Sequence, residues 1–234
     1  MSEERLEIPS SPGLRRERVL ETLVFLFLIV PSMSLSFLLV HQGNLSFVIT
    51  AIATILRDLA LLSLIAFFLW RNGESKARIG WRFNGFNDIL RGAALFVVVF
   101  YAAGYLDQLL VGAGFSSPKT QLPKFLTAQG WVQELLAVVL VIVVAVAEET
   151  IFRGYLILRI REVSGSTVTA VLLSSAIFAV GHGYEGSAGL LTVGFMGLAF
   201  ALVYVWTKSL AAPVLMHFLQ DFLAIVLVPL LKHK

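Results

Sequence analysis

Apolar runs close to a bilayer's thickness constrain this chain more than any other feature. Seven stretches read as candidate spans: 19–40, 47–70, 89–112, 132–160, 167–180, 190–206 and 210–231. A helix needs roughly 20 predominantly apolar residues to cross a bilayer, and a soluble core does not require so many runs of that length. Composition agrees, with 58% hydrophobic residues, 14% charged residues and a mean hydropathy of +0.86. A soluble domain carries about 25% charged residues. The expectation is an all-α, polytopic transmembrane helical bundle of about seven (six to eight) spans. One membrane-embedded domain, 19–231, follows a polar tail, 1–18. The first run is too long for a signal-peptide core and lacks a small-x-small cleavage site, so it reads as a retained helix.

Two details bear on the span count. The fourth run would be about 43 Å long at 1.5 Å per residue, so it must tilt, break or emerge from the membrane. The fifth is short, with room to continue past His182. The stretch 115–130, with Pro118 and Pro123, reads as an outside loop or as a re-entrant or surface helix. There are no cysteines, which excludes disulfides and thiolate metal sites. Counting Lys and Arg in the tail, the 71–91 loop, Arg159 with Arg161, and Lys208 puts 12 on one side, against 4 (Lys119, Lys124, Lys232 and Lys234) on the other. By the positive-inside rule the N-terminus is expected in the cytoplasm and the C-terminus outside.

The charged residues inside the apolar runs include Arg57, Asp58, Asp107, Glu134, Glu148, Glu149, Arg153 and Asp221. Each costs about 2.5–3.5 kcal/mol or more there, so each needs a partner or a wet cavity. Asp107 and Glu134 lie near span ends, where water is close. Arg57 and Asp58, adjacent and about 100° apart on a helix, are each expected to pair with another helix. Glu149 and Arg153 are stacked four apart and form an expected ion pair. That leaves Glu148 without a local partner, as a candidate general base. A structural ion-pair cluster explains these residues equally well at this point.

The histidines widen the choice. His41 lies in a short loop and His233 in the tail, whereas His182 ends the fifth run. His217 opens HFLQD, which places Asp221 four residues on and on the same helical face. A carboxylate there could orient the ring, accept its proton or join it as a ligand. At 1.5 Å per residue from the cytoplasmic span ends, Glu148, His182, His217 and Asp221 lie about 18, 23, 11 and 17 Å deep. They could surround one mid-membrane site that activates water or binds a metal. Small residues four apart, Gly197 with Ala201 and Ser175 with Ala179, read as places where helices approach closely.

Three segments, EETIFR (148–153), FAVGH (178–182) and HFLQD (217–221), occur in the order of EExxxR, FxxxH and HxxxN/D. On these the chain resembles the CAAX-protease and bacteriocin-processing (CPBP, or Abi) family of intramembrane proteases, which includes the type II CAAX prenyl endopeptidases. The resemblance covers roughly 132–231 and implies an all-helical intramembrane endopeptidase acting on a peptide or lipidated-protein substrate at the lipid membrane, with no nucleic-acid partner. It implies that Glu148 activates water beside Glu149 and Arg153. His182 and His217 would position the water and the scissile carbonyl, and Asp221 would hold the site from the last helix. Prenyl-protein members usually carry Asn at the last position. The aspartate here adds a negative charge, which would favour a histidinium or a divalent ion such as zinc on Glu148, His182, His217 and Asp221. No HExxH is present, and direct activation by glutamate is the preferred chemistry. Two other classes compete: a non-proteolytic immunity or scaffold protein of the same family, and a proton-relaying transporter. The complete motif set argues against the first. The lack of similar halves or paired broken helices argues against the second.

Overall fold

The computed structural model describes residues 12–41, 46–117 and 126–232. Among these residues every regular element is helical. Helix α1 (Pro12–His41) begins on a proline, whose missing N–H is of no consequence in a first turn. Helix α2 (Phe47–Arg71) is followed by a short 3₁₀ turn (Lys76–Ile79), which Gly80 ends in the left-handed region at φ 84°. Helix α3 (Phe86–Gly112) comes next. Helix α4 (Trp131–Ser164) runs unbroken for 34 residues. Gly165 stops it at φ 73°, and Ser166 caps α5 (Thr167–Gly181) by accepting from the Thr169 N–H. A 3₁₀ turn (Gly183–Glu185) leads to α6 (Gly186–Thr207). Helix α7 covers Ala211–Asp221, passes through a π-helical stretch (Phe222–Leu227) and ends in Val228–Lys232.

The seven helices correspond to the seven candidate spans, and five are long and apolar enough to cross a membrane. Helix α5 has only 15 residues and ends at Gly181, with His182 as its cap rather than its continuation. His41 is the last residue of α1, not part of a loop. The expected tail 1–18 is described only from Pro12, and His233 and residues 118–125 lie outside the described residues.

Helix α4 is the centre of the bundle. Every residue from Glu149 to Ile160 is buried, as expected of a helix surrounded by others. Ile151, Tyr155 and Leu156 pack with Phe25 of α1, Ile65 of α2, Phe178 of α5 and Leu210 in one apolar cluster. Helices α2 and α3 instead present Phe67, Trp70, Val97, Val98, Tyr101 and Tyr105 outward. An apolar exterior of that extent suits lipid contact.

The 34-residue length is resolved by winding and by anchoring. Glu149–Leu156 is π-helical, and Ser174 of α5 donates to the Phe152 carbonyl at 2.6 Å. Gly154 lets this stretch lie against the 3₁₀ turn, since a Cβ there would stand 2.7 Å from the Ile79 carbonyl oxygen. Beyond it α4 enters a buried ionic cluster. Arg159, wholly buried, bonds Glu21 of α1 (2.8 Å), Glu74 after α2 (2.5 Å) and Glu162 of its own helix (2.9 Å). Tyr155 and Asn72 also bond Glu21, and Arg78 bonds both Glu74 and Glu162 at 2.8 Å. Buried charges of this kind are tolerated when each has partners. This cluster locks the start of α1, the end of α2 and the end of α4 to one end of the bundle.

Candidate active site

The π-helical stretch of α4 carries the first motif into the middle of the molecule. Glu149 and Arg153 are 0% and 1% exposed and pair at 2.7 Å, as the four-residue spacing predicts. Arg153 also donates to the Gly197 carbonyl of α6 at 3.2 Å. Its guanidinium lies 4.3 Å from the Phe178 ring centroid and 5.4 Å from that of Phe200. The arginine is therefore paired, hydrogen-bonded and flanked by two aromatic faces. Gly197 makes this possible, because a Cβ would meet Phe178 Cδ1 at 3.0 Å and Arg153 Nη2 at 3.5 Å.

His217 enters from α7 and is 5% exposed. Its Nδ1 lies 2.8 Å from Glu149 Oε1. A carboxylate oxygen that accepts from Arg153 suits a ring hydrogen on Nδ1, and Nε2 is turned the other way. Nε2 then faces Asp221 Oδ2 at 3.4 Å and Glu148 Oε2 at 3.9 Å. Glu149 thus serves two partners, Arg153 and His217. Sequence spacing gave it only the first, because the second comes from a helix 68 residues away.

Glu148 is more open and less tightly paired. Its side chain is 15% exposed, and its nearest charged neighbours are His217 Nε2 at 3.9 Å and Arg57 Nη2 at 4.0 Å. Its Oε2 is buried with no hydrogen-bond partner among the described residues. His182 caps α5, with Nδ1 3.0 Å from the Phe178 carbonyl oxygen. Its ring centroid is 4.7 Å from that of Phe178, which in turn lies 6.1 Å from that of His217. Phe178 is the shared wall of the two imidazoles. Among the described residues His182 makes no ion pair with Glu148 or Asp221.

The expectation for Arg57 and Asp58 needs correction. They pair with each other, Nε to Oδ1 at 2.9 Å and Nη2 to Oδ1 at 2.8 Å, and of the two it is Arg57 that also reaches another helix, at Glu148 Oε1 of α4, 4.0 Å away. A long arginine side chain can wrap through the angle that separates sequence neighbours. The metal alternative can also be tested on the side chains. Among the described residues no three of His, Asp and Glu are grouped to hold a metal ion. Glu148 and Asp221 each approach His217 Nε2, at 3.9 and 3.4 Å, whereas His182 Nδ1 is bonded to the carbonyl of Phe178 on its own helix.

The long central helix thus brings EExxxR against a histidine and an acid from the last helix of an all-helical bundle. Residues 130–223 match the family of type II CAAX prenyl endopeptidase Rce1-like proteins. The chain is similar to the membrane-embedded CAAX protease MroQ of Staphylococcus aureus (strain USA300), with 34% identity over 85 residues. That likeness spans 34% of this chain and 33% of MroQ. No solved structure matches the chain.

Proposed function

We propose that this protein is an intramembrane endopeptidase in which Glu148 activates the attacking water. The observation that carries the reading is Glu148 Oε2, buried and unpartnered, facing His217 Nε2 at 3.9 Å. That separation is too long for a direct hydrogen bond and suits two groups that share a water. In the reaction Glu148 takes a proton from water, the oxygen attacks the scissile carbonyl, and the same proton passes to the departing amine nitrogen. His217, oriented by Glu149 and followed by Asp221, positions the water, and His182 serves the carbonyl side of the substrate. Among the described residues no three of His, Asp and Glu are grouped to hold a metal ion, and no step is routed through one.

The substrate is a peptide or a lipidated protein tail reaching the site from the bilayer, in keeping with the CAAX-protease names of its relatives. The protein sits as a multi-pass membrane protein with its N-terminus in the cytoplasm. The membrane domain runs over 19–231.

The test is cleavage by purified protein in liposomes against quenched peptides with prenylated tails, bacteriocin-like peptides and a transmembrane peptide. Cleavage of at least one class is expected, and it should survive exhaustive chelation. Loss of activity on chelation, restored by one divalent ion per chain, would overturn direct activation by glutamate. Failure to cut any class would favour the non-proteolytic scaffold.

A further inference from the structure

Arg57 and Asp58 lie midway along α2, outside the segment that matches the family. Among the described residues Arg57 is the arginine that forms an ion pair with Glu148, since Arg153 is taken up by Glu149 and the Gly197 carbonyl. The contact is selective between the two carboxylate oxygens. Arg57 Nη2 approaches Oε1 at 4.0 Å, whereas Oε2 faces His217 at 3.9 Å. Asp58, 1% exposed, holds the guanidinium through Nε and Nη2 together. The arginine therefore cannot swing away from the site without giving up both bonds.

We propose that Arg57 is a positioning residue for Glu148. By attracting Oε1 it fixes the carboxylate's rotation and presents Oε2 towards His217, with Asp58 as the anchor that keeps the guanidinium in place. The role assigned to Glu148 rests on the peptidase reading, but the Arg57–Glu148 contact does not. The rival explanation is that Arg57 serves only to neutralise Asp58.

Two measurements on the full chain in lipid nanodiscs separate these. Arg57→Gln alone strands Asp58 and could fail to fold, so the informative protein is the Arg57→Gln, Asp58→Asn double variant, which removes the pair together. If Arg57 acts through Glu148, the double variant should recover a thermal midpoint near that of Asp58→Asn. Its kcat on a quenched peptide with a farnesylated CAAX tail should stay low, by about the 100-fold that misplacing a reacting group costs, with KM little changed. Arg57→Lys, which keeps the charge, should lose less. Recovery of both midpoint and kcat in the double variant would overturn the proposal. The second measurement needs no substrate. In the Asp58→Asn background, the midpoint shifts of Arg57→Gln and Glu148→Gln should be non-additive, as for residues in contact. Full additivity would overturn the proposal whatever the activity. Non-additive shifts in a protein that cleaves no peptide would support the contact and remove the peptidase reading instead.

Discussion

Glu148 and Glu149 are adjacent in the chain but perform different tasks in the fold. Glu149 is enclosed, with Arg153 at 2.7 Å and His217 at 2.8 Å on one oxygen. Each glutamate has one buried oxygen without a hydrogen-bond partner among the described residues, but Glu148 is the more open of the two, and its oxygen faces His217 Nε2 at 3.9 Å. Replacing Glu148 by Gln keeps shape and removes the proton acceptor. Turnover should fall by about 10²–10⁴, the usual effect of losing a general base, with the thermal midpoint nearly unchanged. Glu149→Gln removes the countercharge of a buried arginine, which costs about 3–5 kcal/mol when one partner of a buried pair is lost. It should also loosen His217, so that activity per folded molecule drops as well. Thermal unfolding and single-turnover cleavage on both variants check this; equal stability losses would mean the carboxylates are jointly structural. The Glu149–Arg153 pair was legible in the sequence because helical spacing is local. The Glu149–His217 bond and the Arg57–Asp58 pair were not. The first depends on how α7 packs against α4, and the second on the reach of a side chain rather than the direction of its Cβ.

At the scale of elements, α4 unites the site and the scaffold. Its length signalled an anomaly, and the structure answers it with a π-helical stretch across the motif and an ionic anchor beyond it. Neither answer was readable from apolar periodicity, which does not distinguish α from π winding. The anchor was missed because Glu21, Glu74 and Arg159 sit at run ends, where charges look solvated, yet Glu21 and Arg159 are buried. Arg159→Met should therefore be severe. It removes the wholly buried cation of the cluster and leaves Glu21, Glu74 and Glu162 to the more exposed Arg18 and Arg78, so the midpoint should fall by the equivalent of about 3–5 kcal/mol; an unchanged midpoint would mean those two arginines suffice. The small-residue reading of α6 fared better. Gly197 meets Phe178 and Arg153 closely, and Gly194 lies where a Cβ would touch that of Ala179 at 3.4 Å. Gly197→Val should force Phe178 off Arg153, lowering stability by about 1–3 kcal/mol, as overpacking does. It should also reduce cleavage, because the same ring borders both histidines. Unaltered unfolding and turnover would show that α6 yields to the added side chain.

At the scale of the whole molecule, the ionic cluster and the charge count agree on what shares an end. Arg18 and Glu21 of α1, Glu74 and Arg78 after α2, and Arg159 and Glu162 of α4 bond one another. They come from the tail side, the 71–91 loop and the end of the fourth run, the segments that sequence analysis put on one face of the membrane. The positive-inside rule makes the cytoplasmic face the expected one, and this can be tested cleanly because the sequence has no cysteine. Lys76 and Ala113 are exposed and lie beyond opposite ends of α3. Single cysteines at these positions should report opposite sides to a membrane-impermeant maleimide. Ala113→Cys is expected to react in intact cells, and Lys76→Cys only after permeabilisation. The reverse pattern would invert the orientation while leaving the bundle intact. Labelling of both from outside would mean that α3 does not cross, and an α3 that stays on one side would remove the shared-end argument for the whole fold.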